Sequence, residues 1–262
     1  MIPFKDQIIQ EENQMRILKM IVGIIGVSMM SVQVFCLEKE IYLPKMLFSQ
    51  VQQINNIDTY VSTHKNSEGD FKAGFYYFYQ ALESQDKHAQ ESNIKKAIQN
   101  LEKTVEAAPN DPLRLAMLGS AYGYQHQFIG FPFIIMAAQK TLSTFKKAVD
   151  LNNNNPEIRL FRLRVLVYYP YQFNQNLKPV ILEDKEIVMN WINTFKANQK
   201  TIQNGDAYST YFVQIQDEVN WLMGLYFVTQ IKDIETAKIY ISDIPKESAY
   251  YNRAQLLLKP SK

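Results

Sequence analysis

A chain of 262 residues with 47% hydrophobic and 13% aromatic content can bury a real core, which excludes a disordered tail. Its 28 Lys+Arg against 26 Asp+Glu, with no block of like charges, excludes the basic stripe that a phosphate backbone demands, so nucleic acid is not an expected partner. The 9 Gly form neither GxGxxG nor a glycine-rich loop before Lys-Ser/Thr, so neither common nucleotide cradle is signalled.

From Met15 the chain reads MRILKMIVGIIGVSMMSVQVFC, where Arg16 and Lys19 precede an apolar run from Met20 to Met30 that ends in smaller, more polar residues. That is the layout of a secretory signal peptide. Even stretched to Phe35, the run is shorter than the roughly 20 residues that span a bilayer comfortably. Residues 1–36 are therefore expected to be a signal peptide, cut before Leu37 after Val34 and Cys36, with a signal anchor over residues 15–36 as the alternative. Phe35 before Cys36 argues against lipidation there. The 14 residues ahead of Met15 carry Lys5 against Asp6, Glu11 and Glu12, the wrong charge for the leading region of a signal, which points to a start at Met15. An apolar helix packed in the core is the plain structural alternative. Loss of residues 1–36 lowers Lys+Arg from 28 to 25 and Asp+Glu from 26 to 23, and removes the only Cys. The expected mature chain then has no disulfide and no thiolate metal site, in a periplasmic or cell-envelope location.

Residues 37–262 read as helix throughout. Apolar residues recur at spacings of three and four, as in Phe71, Phe75, Phe78 and Leu82, or Trp221, Leu225 and Val228, and no stretch alternates strictly. The expected class is all-α. Breaks fall near Asn66 to Asp70, Asp86 to Ser92, Pro109 to Pro112, Gly130 to Pro132, Asn152 to Pro156, Pro170 to Pro179, Gln199 to Asp206 and Pro245.

The stretch NIKKAIQNLEKTVEAAPNDPLRLAMLGSAY, residues 93–122, places Ala97, Leu101, Thr104 and Pro109 before Leu115, Leu118, Gly119 and Tyr122. In that order and phase these positions resemble the tetratricopeptide repeat, a helix-turn-helix unit of 34 residues. The next second helix returns with Phe145 and Ala148 and closes at Asn153, where proline is usual. Between Tyr122 and Thr141 the chain advances 19 residues where the family advances nine, so the hairpin is elongated, and a similar excess lies between Phe78 and Ala97. Arg159 and Arg162 stand where the family is usually apolar. Trp221 and Ala237 mark a degenerate last unit. The run FKKAVDLNNNNPEIRLFRLRVLVYYP resembles a group of exported bacterial tetratricopeptide-like proteins, a likeness that brings no activity with it. The resemblance implies an α-solenoid whose first helices line a groove. Carried over by position, the groove shows Leu113, Ala116, Ser120, Gly123 and Tyr124, then Glu157, Leu160, Arg164 and Tyr168. Its small, apolar and tyrosyl character suits a peptide or a helix.

Buried stems make unpaired guanidinia costly, so Arg159 and Arg162 need acceptors. They form either an anion or carboxylate seat or internal pairs with carboxylates of a neighbouring helix, such as Glu106 or Asp150, or with helix C-terminal carbonyls. The apolar connection Phe128 to Gln139 is expected to fold back and complete the core, the alternative being a lid or membrane-touching wedge. In FYYFY, residues 75–79, Phe75 and Phe78 face the core while Tyr76 and Tyr79 sit half exposed. His64, His88 and His126 are scattered without zinc-site spacing and read as solvated helix-end residues. Glu183 and Asp184 read as acidic charge ahead of a helix. Nothing local builds a catalytic site, so no enzyme activity, metal or cofactor is expected. The expected function is an exported scaffold for a protein or peptide partner, touching membrane only through its N-terminal segment or residues 128–139. The alternative is a carrier of a small hydrophobic or acidic ligand, and the oligomeric state stays open.

Overall fold

Side-chain caps set where the helices begin. The computed structural model describes residues 54, 56–130, 132–169, 176–198 and 206–259. The expected signal segment lies outside them. Among the described residues every regular element is helical, and no helix is long and apolar enough to cross a membrane. An Asn or Asp stands before most helices and accepts from the otherwise unpaired N–H groups of the first turn. Asn56 caps α1 (Ile57–Thr63), Asn66 caps α2 (Ser67–Glu83) and Asp86 caps α3 (Lys87–Ala107). Asp111 caps α4 (Pro112–Gln125), with proline at the first helical position, where its missing N–H costs nothing. The same Asn-Pro or Asp-Pro arrangement recurs at Asn155, which caps α6 (Pro156–Leu166).

Between α4 and α6 runs α5 (Phe133–Leu151), entered through a 3₁₀ turn at His126–Phe128. The remaining helices are α7 (Leu177–Asn198), α8 (Asp206–Tyr226), α9 (Ile234–Ser242) and α10 (Tyr251–Leu257). A π-helical turn, Phe227–Ile231, closes α8 and leads into Lys232 at φ 63°, the one described non-glycine residue in left-handed backbone.

Consecutive helices pack as pairs: α2 on α3, α4 on α5, α6 on α7 and α8 on α9. The pairs join through α3 against α4, α4 against α6, and α7 against α8, while α10 lies on α8 and α9. Small residues let the partners approach closely. A Cβ at Gly74 would stand 2.7 Å from Leu101 Cγ, and one at Gly119 would stand 3.1 Å from the Phe145 ring. Phe75, Phe78, Leu101, Phe145, Leu163 and Ile192 fill the interior, and Phe71, Phe75, Phe78 and Leu82 are all buried, as the helical spacing requires. Tyr76 and Tyr79 are half-buried beside them.

One boundary differs from expectation. Residue 179 is proline, yet α7 already starts at Leu177, because proline in the first turn of a helix blocks no hydrogen bond. Glu183 and Asp184 therefore lie within α7 rather than ahead of it.

Candidate functional site

Helix α6 carries the chemistry, because its three arginines are buried, Arg159, Arg162 and Arg164. Arg159 and Arg162 share one acceptor. Asp184 of α7, fully buried, receives Arg162 Nε on Oδ2 and Nη2 on Oδ1, both at 2.7 Å, and Arg159 Nη1 on Oδ1 at 2.9 Å. Arg159 Nε donates to the Asn153 carbonyl beyond the end of α5 at 2.8 Å, and its Nη2 lies 3.1 Å from the exposed Glu183. The pair is internal, as one of the two expectations held, but its acid is Asp184 and not Glu106 or Asp150. An anion seat at these arginines is corrected accordingly: the protein's own carboxylate occupies it.

A sequence signal for Asp184 existed. Ala97, Thr141, Asp184 and Ala237 each stand four residues before a large apolar residue, namely Leu101, Phe145, Val188 and Ile241. All eight are buried to 1% exposure or less. Asp184 thus holds a place that is small in α3, α5 and α9, and it faces Arg159 and Arg162 of α6.

Arg164 points elsewhere. Its Nε and Nη2 donate to Oε1 and Oε2 of Glu218 on α8, both at 2.7 Å, in a buried fork-to-fork pair. Burial pushes the carboxyls of Asp184 and Glu218 above the usual carboxylate range while their arginines pull the other way. The half-buried Glu157, at the start of α6, is raised by burial too, again opposed by Arg164.

The nine positions expected to line an open groove fall as follows. Ala116, Ser120, Tyr124, Leu160 and Arg164 are buried, and Leu113, Gly123, Glu157 and Tyr168 are half-buried. Ser120 Oγ donates to the Ala116 carbonyl at 2.9 Å, and Tyr124 OH to the Ala81 carbonyl of α2 at 3.2 Å. The buried five do not present themselves to a partner, which corrects the expectation of a groove there. Contacts of α4 with α2 and α6, and the ion pair from α6 to α8, have consumed that face.

His126 is corrected as well. It stands at a helix end, but burial holds its imidazole below the usual histidine range. Its Nε2 lies 3.1 Å from Thr141 Oγ1, and its ring meets Tyr169 edge-on at 5.6 Å. His64 and His88 are exposed as expected.

The apolar connection departs most. It folds back only in part: Phe128 is half-buried and meets the Tyr124 ring edge-on at 6.0 Å. Its end, from Phe133, is the first turns of α5, where Phe133 is 66% exposed, Met136 68% and Ile135 42%. Ile134 and Ala137 are half-buried on the other side, so the helix is seated by one face and presents apolar side chains on the opposite one. Among the described residues no three side chains of His, Cys, Asp or Glu gather as a metal site. No family model, no curated protein and no solved structure matches this chain.

Proposed function

We propose that the chain is a tetratricopeptide-like stack of helical hairpins that holds a protein partner by the apolar end of its second hairpin. The repeat reading rests on the recurrence of a small residue four before a large one in successive second helices, with Asp184 as the substituted member. The exposed patch of Phe133, Ile135 and Met136 is the observation that carries the interaction reading. Large apolar side chains left exposed in the first turn of a helix mark an interaction site, since leaving them in water forgoes about 25 cal/mol per Å². Its partner is a protein offering an apolar helix or strand, and the rigid pairs beneath it keep the patch preformed, which lowers the ordering cost of binding. The N-terminal layout of Arg16, Lys19 and the apolar run supports a place in the cell envelope for the assembly.

Replacing Phe133 and Met136 together by Ser tests this. The variant should unfold at the same denaturant concentration as the parent and lose the partner in a pull-down. Retention of the partner at unchanged affinity would refute the patch, and retention on vesicles alone would make it a membrane contact.

A further inference from the structure

We propose that the cleft between α1, α2 and α3 seats a phosphate carried on a hydroxyl-bearing group, of the glycerol phosphate type. The cleft is about 600 Å³, within the range of small-molecule sites and far larger than one bare phosphate needs. Three lysines line it from different parts of the chain. Lys65 comes from the link between α1 and α2, and Lys96 and Lys103 from α3. Lys96, Asn100 and Lys103 follow one another at spacings of four and three, which puts them on one face of α3.

The three ammonium groups are poorly neutralised. Among the described residues Lys103 pairs only with Asp70, at 4.0 Å, and Lys96 lies 5.1 Å from the centroid of the Tyr77 ring. Neither Lys65 nor Lys96 has a carboxylate within ion-pairing distance among the described residues. Some lysines elsewhere pair closely, as Lys146 does with Asp150 at 2.6 Å and Lys95 with Glu91 at 2.7 Å. Like charges drawn together without close acids favour an anion between them, and the ammonium group serves phosphate as a compact point charge. Among the described residues no arginine lines the cleft, so they offer no planar fork that suits a carboxylate.

The rest of the wall shapes the ligand beyond its phosphate. Asp70, 4.0 Å from Lys103, accepts hydrogen bonds only, and it suits a hydroxyl neighbouring the phosphate. Ser62 adds a hydroxyl, Asn100 a buried amide whose Nδ2 already donates to the Lys96 carbonyl at 2.8 Å, and Tyr77 an aromatic surface for the carbon chain. Glycerol phosphate occurs free, as a monoester, and as the headgroup of phosphatidylglycerol, as a singly charged diester, and both present a glycerol hydroxyl beside an anionic phosphate to this cleft.

Titration calorimetry of the full chain with glycerol 3-phosphate, beside flotation with phosphatidylglycerol and phosphatidylcholine vesicles, tests the seat. A saturable heat with the soluble probe, or flotation on phosphatidylglycerol but not phosphatidylcholine, is the expected result, and which of the two appears identifies the source. The triple variant Lys65→Gln, Lys96→Gln, Lys103→Gln should weaken the observed binding by about tenfold or more. A control with Lys146→Gln and Lys147→Gln, both exposed on α5, should leave it unchanged. Asp70→Asn should abolish any preference for glycerol 3-phosphate over inorganic phosphate, a readout that simple attraction of anions would not move. If circular dichroism shows the triple variant unfolded, Lys65→Gln alone carries the comparison, because Lys65 lies outside the helices. Binding to neither probe at millimolar concentration, or an equal loss in the control, overturns the proposal.

Discussion

Arg164 of α6 and Glu218 of α8, 54 residues apart, meet in a buried fork-to-fork pair whose two hydrogen bonds are each 2.7 Å. The pair ties the first helix of the third hairpin to the first helix of the fourth. Removing one member of such a pair leaves an uncompensated charge, at a cost of roughly 3–5 kcal/mol. Glu218→Gln should therefore lower the midpoint of urea unfolding strongly. The double variant Arg164→Met, Glu218→Leu should recover most of the loss, since apolar replacements of similar volume remove the desolvation cost together with the attraction.

Gly74 and Gly130 should respond oppositely to the same change. A Cβ at Gly74 would press on Leu101 Cγ at 2.7 Å, inside the contact of α2 with α3, whereas one at Gly130 would meet nothing within 4 Å. Gly74→Ala gains the helix preference of alanine, about 1 kcal/mol, yet overpacking costs about 1–3 kcal/mol, so destabilisation is expected. Gly130→Ala should be neutral or slightly stabilising. Paired chemical denaturation curves distinguish the two outcomes.

His126 predicts an acid-side loss of stability. Its imidazole is held low by burial, so the unfolded chain takes a proton more readily than the folded one does. The contribution is fully present above the unfolded value, about 6.5, and declines as the pH falls from there through the lower folded value. Thermal unfolding between neutral pH and pH 5 should fall more steeply for the parent than for His126→Gln. Parallel curves would show that the ring near Thr141 and Tyr169 does not titrate as described.

Lys232 stands in left-handed backbone at the end of the π turn, a conformation that costs side-chain-bearing residues about 1–2 kcal/mol. Lys232→Gly should raise the melting temperature, net of the extra entropy glycine brings to the unfolded chain. A lowered melting temperature would show that the Lys232 side chain contributes more than its backbone costs.

Much of the architecture was legible because it is written in local chemistry. Asn66, Asp111 and Asn155 announce helix starts through their caps, and Pro112 and Pro156 through their fixed φ. Asp184 was misplaced because Pro179 was read as the end of a break, when it sits comfortably in the first turn of α7. The phase of Ala97 and Thr141 would have put Asp184 in the helix interior, opposite the two arginines. The packing of faces was less legible. Tyr124 and Arg164 have the same spacing whether they line a groove or a contact, and only the positions of α2 and α8 decide that they are buried. Periodicity likewise shows that the first turns of α5 have an apolar side, but not that Phe133 and Met136 are the exposed members of it.

The account rests most on that apolar hairpin end, and a photo-crosslinking amino acid placed at Met136 tests it directly in the native cells. One protein joined through residue 136, absent when the same group is placed at the exposed Lys238 of α9, is the result the account predicts. Crosslinks to lipid alone, or an identical pattern from both positions, would contradict it.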